Sequence, residues 1–474
     1  MKTLSAAIPM LFFFVQSIVL KAQLTDNQLV RLSETYELAN IILALTEYGK
    51  TDPWEVEQHS DYYKEVRAYF APFASHPLLV KANYSREKWD SYLSFRTDAY
   101  AFSLDKNNRL IRNVVFRAIE ERNAFEENQD QINDFVQVTH FREFYAKHLS
   151  YYQKLATTYL ESQQYTQIFH FLEQEFGQVQ NTAHYAIVMS PLVGRMNCHR
   201  VVNGVQTDFI TLPAFILNGK SATNASQEDI ATGVHMLFTE LDHAFVNPVT
   251  YHHRQLLKEN FNNAVWNAGS GYETDSLATF NEYMTWAVYD IYIRKFFPEV
   301  ANQVCTNWTL QNETRGFYAS TLFTQELINL YDHRKSGKRI KDLYPALLKR
   351  LGKLQHTISK PLITYCNLDN KTISDTLAGY TIRFSEPMQN SPSFDIIRVI
   401  EQDGKSRQQK FEITQQKNSL HWTEKNTELQ FTLPLVKGQQ NRLILNYAWK
   451  VRTPLKSRKG ITLKPYTSIK TTVQ

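Results

Sequence analysis

The chain is 474 residues long and 43% hydrophobic, with 26 tyrosines and 29 phenylalanines, so it can bury more than one sizeable core. Its net charge of +5 is spread along the sequence without basic blocks, which argues against a nucleic-acid binder. Three cysteines, Cys198, Cys305 and Cys366, are too few for a disulfide framework and fit no zinc-knuckle spacing; they read as mainly buried packing residues.

Met1-Lys2, an apolar run from Leu4 to Leu20 and Lys21-Ala22-Gln23 together predict a secretory signal peptide, residues 1–22, cut after Ala22. The run contains Pro9 and Gln16 and is short for a membrane span. No later segment is apolar for long enough to cross a membrane. The mature chain is therefore expected to be soluble and exported, whether periplasmic, cell-surface or secreted. Losing Lys2 and Lys21 lowers its charge to +3.

Helical periodicity dominates from Leu24 to Gln355. Leu29, Leu32, Tyr36, Leu38, Ile41, Ile42 and Leu45 suit one long helix ending before Gly49. A second helix is expected from Tyr62 to Phe73, and helical signals return from Gln131 to Phe176. Two apolar, alternating segments, Ala183–Val193 and Asp208–Leu217, read as a pair of strands separated by a polar stretch containing Gly204. Further helices are expected at Asp275–Phe296, Arg315–Asp332 and Ile340–Leu354.

After Lys360 the pattern changes to short alternating runs: Thr381–Phe384, Ile396–Ile400, Leu429–Leu433 and Arg442–Tyr447. Turn signals such as Asp403-Gly404 and Lys437-Gly438 separate them. This predicts an antiparallel β-sandwich. The segment Ile382-Arg383-Phe384-Ser385-Glu386-Pro387-Met388 resembles the I-x-F-S-x-P-M signature of bacterial Ig-like domains. The expected fold class is thus α+β. A mainly helical domain with a small sheet, 23–357, precedes an Ig-like sandwich domain, 358–474.

The candidate chemistry lies on a helix opened by Ser226 as N-cap, with Glu228 and Asp229 in its first turn. It is expected to run to about Phe245 and to stop before Asn247-Pro248. Ile230, Val234, Leu237, Leu241, Ala244 and Phe245 share one face, while His235, Thr239 and His243 follow one another at four-residue steps on the other. Glu240 and Asp242 flank that line. Thr239-Glu240-Leu241-Asp242-His243 reads as the zinc-peptidase motif H-E-x-x-H with its first histidine replaced by threonine. Asp275-Ser276 opens a second amphipathic helix carrying Glu282.

Leu237–Pro248, then Asn281-Glu282-Tyr283 with Trp286–Tyr289, resembles an uncharacterised secreted bacterial group, domain-of-unknown-function family 4932, which is similar to the gluzincin peptidases. The early run Tyr62–Pro77 also fits that group. The resemblance implies a zincin-like fold in which His243 and Glu282 are metal ligands and Glu240 is the catalytic general base. The implied metal is zinc and the implied substrate a peptide or protein; in the implied hydrolysis Glu240 takes a proton from water and hands it to the leaving amine. Tyr251, His252, His253 and Tyr272 are candidate oxyanion donors by type.

Thr239 is where this sequence departs from the family. Threonine is a poor zinc ligand, so three arrangements compete. A further side chain (His235, His252 or His253) completes the site. Alternatively, Glu240 turns ligand, giving two carboxylates and one imidazole suited to zinc, iron or manganese. In the third, no functional metal binds. The expected function is an exported gluzincin-like metal-dependent hydrolase, a peptidase; the alternative is a non-catalytic pseudo-peptidase acting as a periplasmic or cell-surface binding protein.

Overall fold

The computed structural model describes residues 29–52, 55–85, 88–119, 122–177, 185–194, 196–402, 405–423, 425–447 and 451–474. The expected signal peptide and the turn at Asp403-Gly404 lie outside the described residues. Within them the fold is α+β, as expected, and no helix is long and apolar enough to cross a membrane.

A four-stranded sheet sits among the helices, in the order Val30–Arg31, Tyr185–Met189, Val205–Ile210, Cys198–Val202. The first three strands run parallel, with Val30 opposite Ile187 and Ile187 opposite Asp208. The last is antiparallel and makes a tight hairpin with Val205–Ile210. Its turn, Asn203-Gly204, has φ of 51° and 77°, the left-handed pair that matches strand twist in a two-residue hairpin. The sheet is buried on both sides. Ile187, Met189 and Ile210 enter one core with the Gln227–His252 and Ser276–Phe296 helices; Val188 and Phe209 enter a second with the N-terminal helices.

Several sequence expectations are corrected. The first long helix begins only at Glu34, capped by Ser33, because the residues before it pair with Tyr185–Met189; it ends at Leu45 and a short helix, Glu47–Thr51, follows. Residues beyond Ile210 leave the sheet: Pro213 cannot donate to a ladder, and Ala214–Leu217 forms a helical turn. The polar stretch between the two expected strands is itself the edge strand Cys198–Val202. Between Phe297 and Arg315 lies an unforeseen helix, Pro298–Thr314, opened by a proline at its first position. All three cysteines are free and partly buried, each packed against the edge of an apolar cluster.

The C-terminal strands form two sheets. One has the order Lys405–Thr414, Ser393–Gln402, Gln440–Leu445, Thr467–Val473, Lys371–Ile373; the other His421–Trp422, Glu428–Pro434, Leu377–Phe384, Ile363–Cys366. All these pairings are antiparallel except that of Lys371–Ile373 with Thr467–Val473. Both sheets feed one apolar cluster, in which Phe394 of the first meets Phe431 of the second edge-on at 5.3 Å. Ile461 leaves this region to join the helical core, and Lys456 forms an ion pair with Glu313.

Candidate functional site

Ser226 starts the motif helix with a reciprocal cap: its hydroxyl accepts from Asp229 N at 3.0 Å, and the Asp229 carboxylate accepts from Ser226 N at 3.1 Å. The helix then continues through Pro248 to His252. Pro248 removes the N–H that would bond the Ala244 carbonyl, and it stands with Asn247 on the solvent side of the penultimate turn. The helix packs mainly on Ser276–Phe296, itself capped by Asp275, whose carboxylate accepts from Ala278 N at 2.9 Å.

This packing brings the two proposed ligands together. Glu282 Oε1 lies 3.5 Å from His243 Nε2, and His243 Nδ1 lies 3.2 Å from Asn247 Oδ1. Glu240 sits beside them. Burial raises its pKa to about 7, opposed by His243 and reinforced by the charges of Asp208 and Glu282. The three side chains line a cleft of about 790 Å³. Tyr272 also lines it, its hydroxyl pushed up to about 12 first by the Glu282 carboxylate and then by burial.

Thr239 lines the same cleft but donates its hydroxyl back to the helix carbonyls of His235, at 3.1 Å, and Met236, at 3.3 Å. It is turned to its own backbone. His235 precedes His243 by two helical turns, about 12 Å along the axis, too far to share one ion. Its ring is 4% exposed, stacked on Trp308 at 3.6 Å, and burial lowers its pKa to about 3, so it is a neutral imidazole. Asp242 is not on the exposed flank: it is wholly buried near Tyr344, with both carboxyl oxygens unpartnered. Tyr251, His252 and His253 lie at the far end of the helix, outside the cleft. There Tyr251 is 60% exposed under Arg254 and His253 stacks on Tyr344 at 5.8 Å.

A catalytic zinc centre uses three protein ligands and keeps a fourth position open. Here two donors converge, and among the described residues no group of three His, Cys, Asp or Glu side chains is placed to hold a metal. The donor set does not fit such a centre. No family model, curated protein or solved structure matches this chain.

Two further groups bear on the site and were missed from sequence. Asp208 is wholly buried, and its Oδ1 lies 2.5 Å from His199 Nδ1 on the neighbouring edge strand. His199 Nε2 lies 2.5 Å from Gln206 Oε1, so both ring nitrogens face acceptors. Burial acts to lower the pKa of His199, but the Asp208 carboxylate outweighs it and holds the group above its ordinary value. The His199–Asp208 pair lies close enough for both groups to act on Glu240. The Asn203-Gly204 signal could have located it: a two-residue turn there pairs Val202 with Val205 and hence His199 with Asp208.

The second missed group is the wall formed by the Pro298–Thr314 helix and the turn after it. It presents Trp308, Gln311, Asn312 and Arg315 to the cleft. The Arg315 guanidinium lies 5.6 Å from the Trp286 ring and 5.7 Å from Phe317. Gly316 makes that turn possible, with φ of +113° and a position where a Cβ would stand 2.5 Å from the Ala268 carbonyl oxygen.

Proposed function

We propose that the chain is an exported, gluzincin-like pseudo-peptidase whose cleft binds a peptide or protein segment. The observation that carries this reading is the inward bond of Thr239, which removes a ligand position while Glu282 and His243 still meet at 3.5 Å. The order of elements supports descent from a zincin: strands first, the motif helix second, the Glu282 helix third. In the same reading residues 23–357 are the zincin-like domain, residues 358–474 an Ig-like domain, and the signal peptide directs export.

One observation favours a second reading, a metal-dependent hydrolase that has kept some activity. Glu240 has a pKa near neutrality, the range in which a general base both takes and returns a proton.

Metal content and turnover of the purified mature protein separate the two. The pseudo-peptidase should carry zinc well below one ion per chain, bind peptides from a casein digest and leave them intact. Stoichiometric zinc together with peptide cleavage that Glu240→Gln abolishes would replace it by the hydrolase. Failure to bind any peptide would overturn both.

A further inference from the structure

A second cleft, also of about 790 Å³, opens between the helices and the connections of the C-terminal strands. The Pro298–Thr314 helix separates it from the Glu240 cleft, giving Asn302, Thr306 and Thr309 to one and Trp308, Gln311 and Asn312 to the other. Clefts of this size at the junction of two layers are common ligand sites.

Its charges are unbalanced. Arg294, Arg452 and Lys456 line it against a single carboxyl, Asp290. Lys456 is engaged, since its Nζ lies 2.6 Å from Glu313. Arg294 stands 3.7 Å from Asp332, a loose pair with both partners about half exposed. The Arg452 backbone N–H donates to Asp395 at 2.6 Å, which anchors the loop, while its side chain is exposed on the cleft wall. Asp290 offsets them only in part: it is 6% exposed and bonded to the Cys305 thiol, and burial pushes its pKa up to about 7.

Between the charges the polar lining is hydroxyl and amide, with Thr306, Thr309, Asn302 and Gln325 among it, and it alternates with apolar surface from Leu310, Ile328, Pro454 and Leu455. Hydroxyls and amides serve alcohols, as donors and acceptors together. A guanidinium serves carboxylate, through paired N–H donors in a planar fork.

We propose that this cleft binds an acidic saccharide, its carboxylate held by Arg452 with Arg294 nearby and its hydroxyls by the threonine and amide side chains. The site is separate from the Glu240 cleft and stands or falls independently of the function assigned there.

Ligand-detected NMR on the full mature protein tests it, with D-glucuronate as probe and D-glucose, succinate and inorganic phosphate as comparators. Glucuronate should bind more tightly than each comparator. Arg452→Ala should weaken it about tenfold or more, and Arg452→Lys less, because lysine keeps the charge without the fork. Arg452 is exposed, so the thermal unfolding midpoint of either variant should match the parent. No glucuronate binding, equal binding of succinate or phosphate, or binding indifferent to Arg452→Ala and Arg294→Ala together would overturn the proposal.

Discussion

Lys456 Nζ lies 2.6 Å from Oε2 of Glu313, a wholly buried carboxylate that also accepts from the Thr321 hydroxyl at 2.6 Å. The pair joins the C-terminal strands to the helix whose last turn, Gln311 and Asn312, walls the Glu240 cleft. Removing the lysine alone leaves a buried charge uncompensated, at a cost of about 3–5 kcal/mol. Lys456→Met should therefore lower the urea midpoint strongly, and adding Glu313→Gln should recover most of the loss. Equal destabilisation by the single and double variants would show that packing, not charge, dominates this contact.

Thr239 is the position to restore. His243 and Glu282 already converge, so Thr239→His supplies a third donor one helical turn from His243, the spacing zinc peptidases use. Zinc affinity, measured by competition with a chelating dye, should rise by about tenfold or more. An unchanged affinity would show that the helix does not hold zincin geometry.

The pH dependence of stability should run opposite to ordinary acid denaturation over part of the range. Glu37 is buried and its pKa is raised to about 7 by burial, despite hydrogen bonds from Ser190 and Tyr62; burial also raises Asp98 to about 6 and Asp290 to about 7. Each folded-state pKa lies above its unfolded value of about 4, so the folded chain binds more protons between them. The contribution of these groups is full below about pH 4 and is lost as pH rises towards 7. Glu37→Gln keeps an acceptor for the Tyr62 hydroxyl, now at 2.7 Å, and removes one such titration. It should gain up to about 3 kcal/mol at pH 8 relative to the parent and nothing at pH 4, by urea unfolding at the two pH values.

Asp242 tests the core beneath the motif. Both its carboxyl oxygens are buried without partners, which costs about 1–3 kcal/mol relative to a satisfied or apolar group. Asp242→Leu should raise the unfolding midpoint. A fall would mean that the carboxyl is bonded to an internal water, and Asp242→Asn would then keep more stability than leucine.

The motif helix was largely legible because its signals are local. The Ser226 cap, the acidic first turn and the apolar stripe need only neighbours within a turn or two, and the Asp275 cap works in the same way. The illegible parts depend on distant partners. Val30–Arg31 is a strand only because Tyr185–Met189 accepts it across more than 150 residues of sequence, and Pro298–Thr314 carries little amphipathic signal because opposite sides of it meet two different clefts.

Residue types and their spacing along one helix pointed to Glu240 and His243 as candidates, since a helix repeats its faces by arithmetic, while Glu282 was added only through the resemblance to gluzincins. Only the tertiary structure decided how these groups are completed. It turned the Thr239 hydroxyl to its own backbone, stacked His235 on Trp308, buried Asp242 and set the His199–Asp208 pair close to Glu240. Direction and burial of a side chain are properties of the packing around it, and no spacing along the chain encodes them.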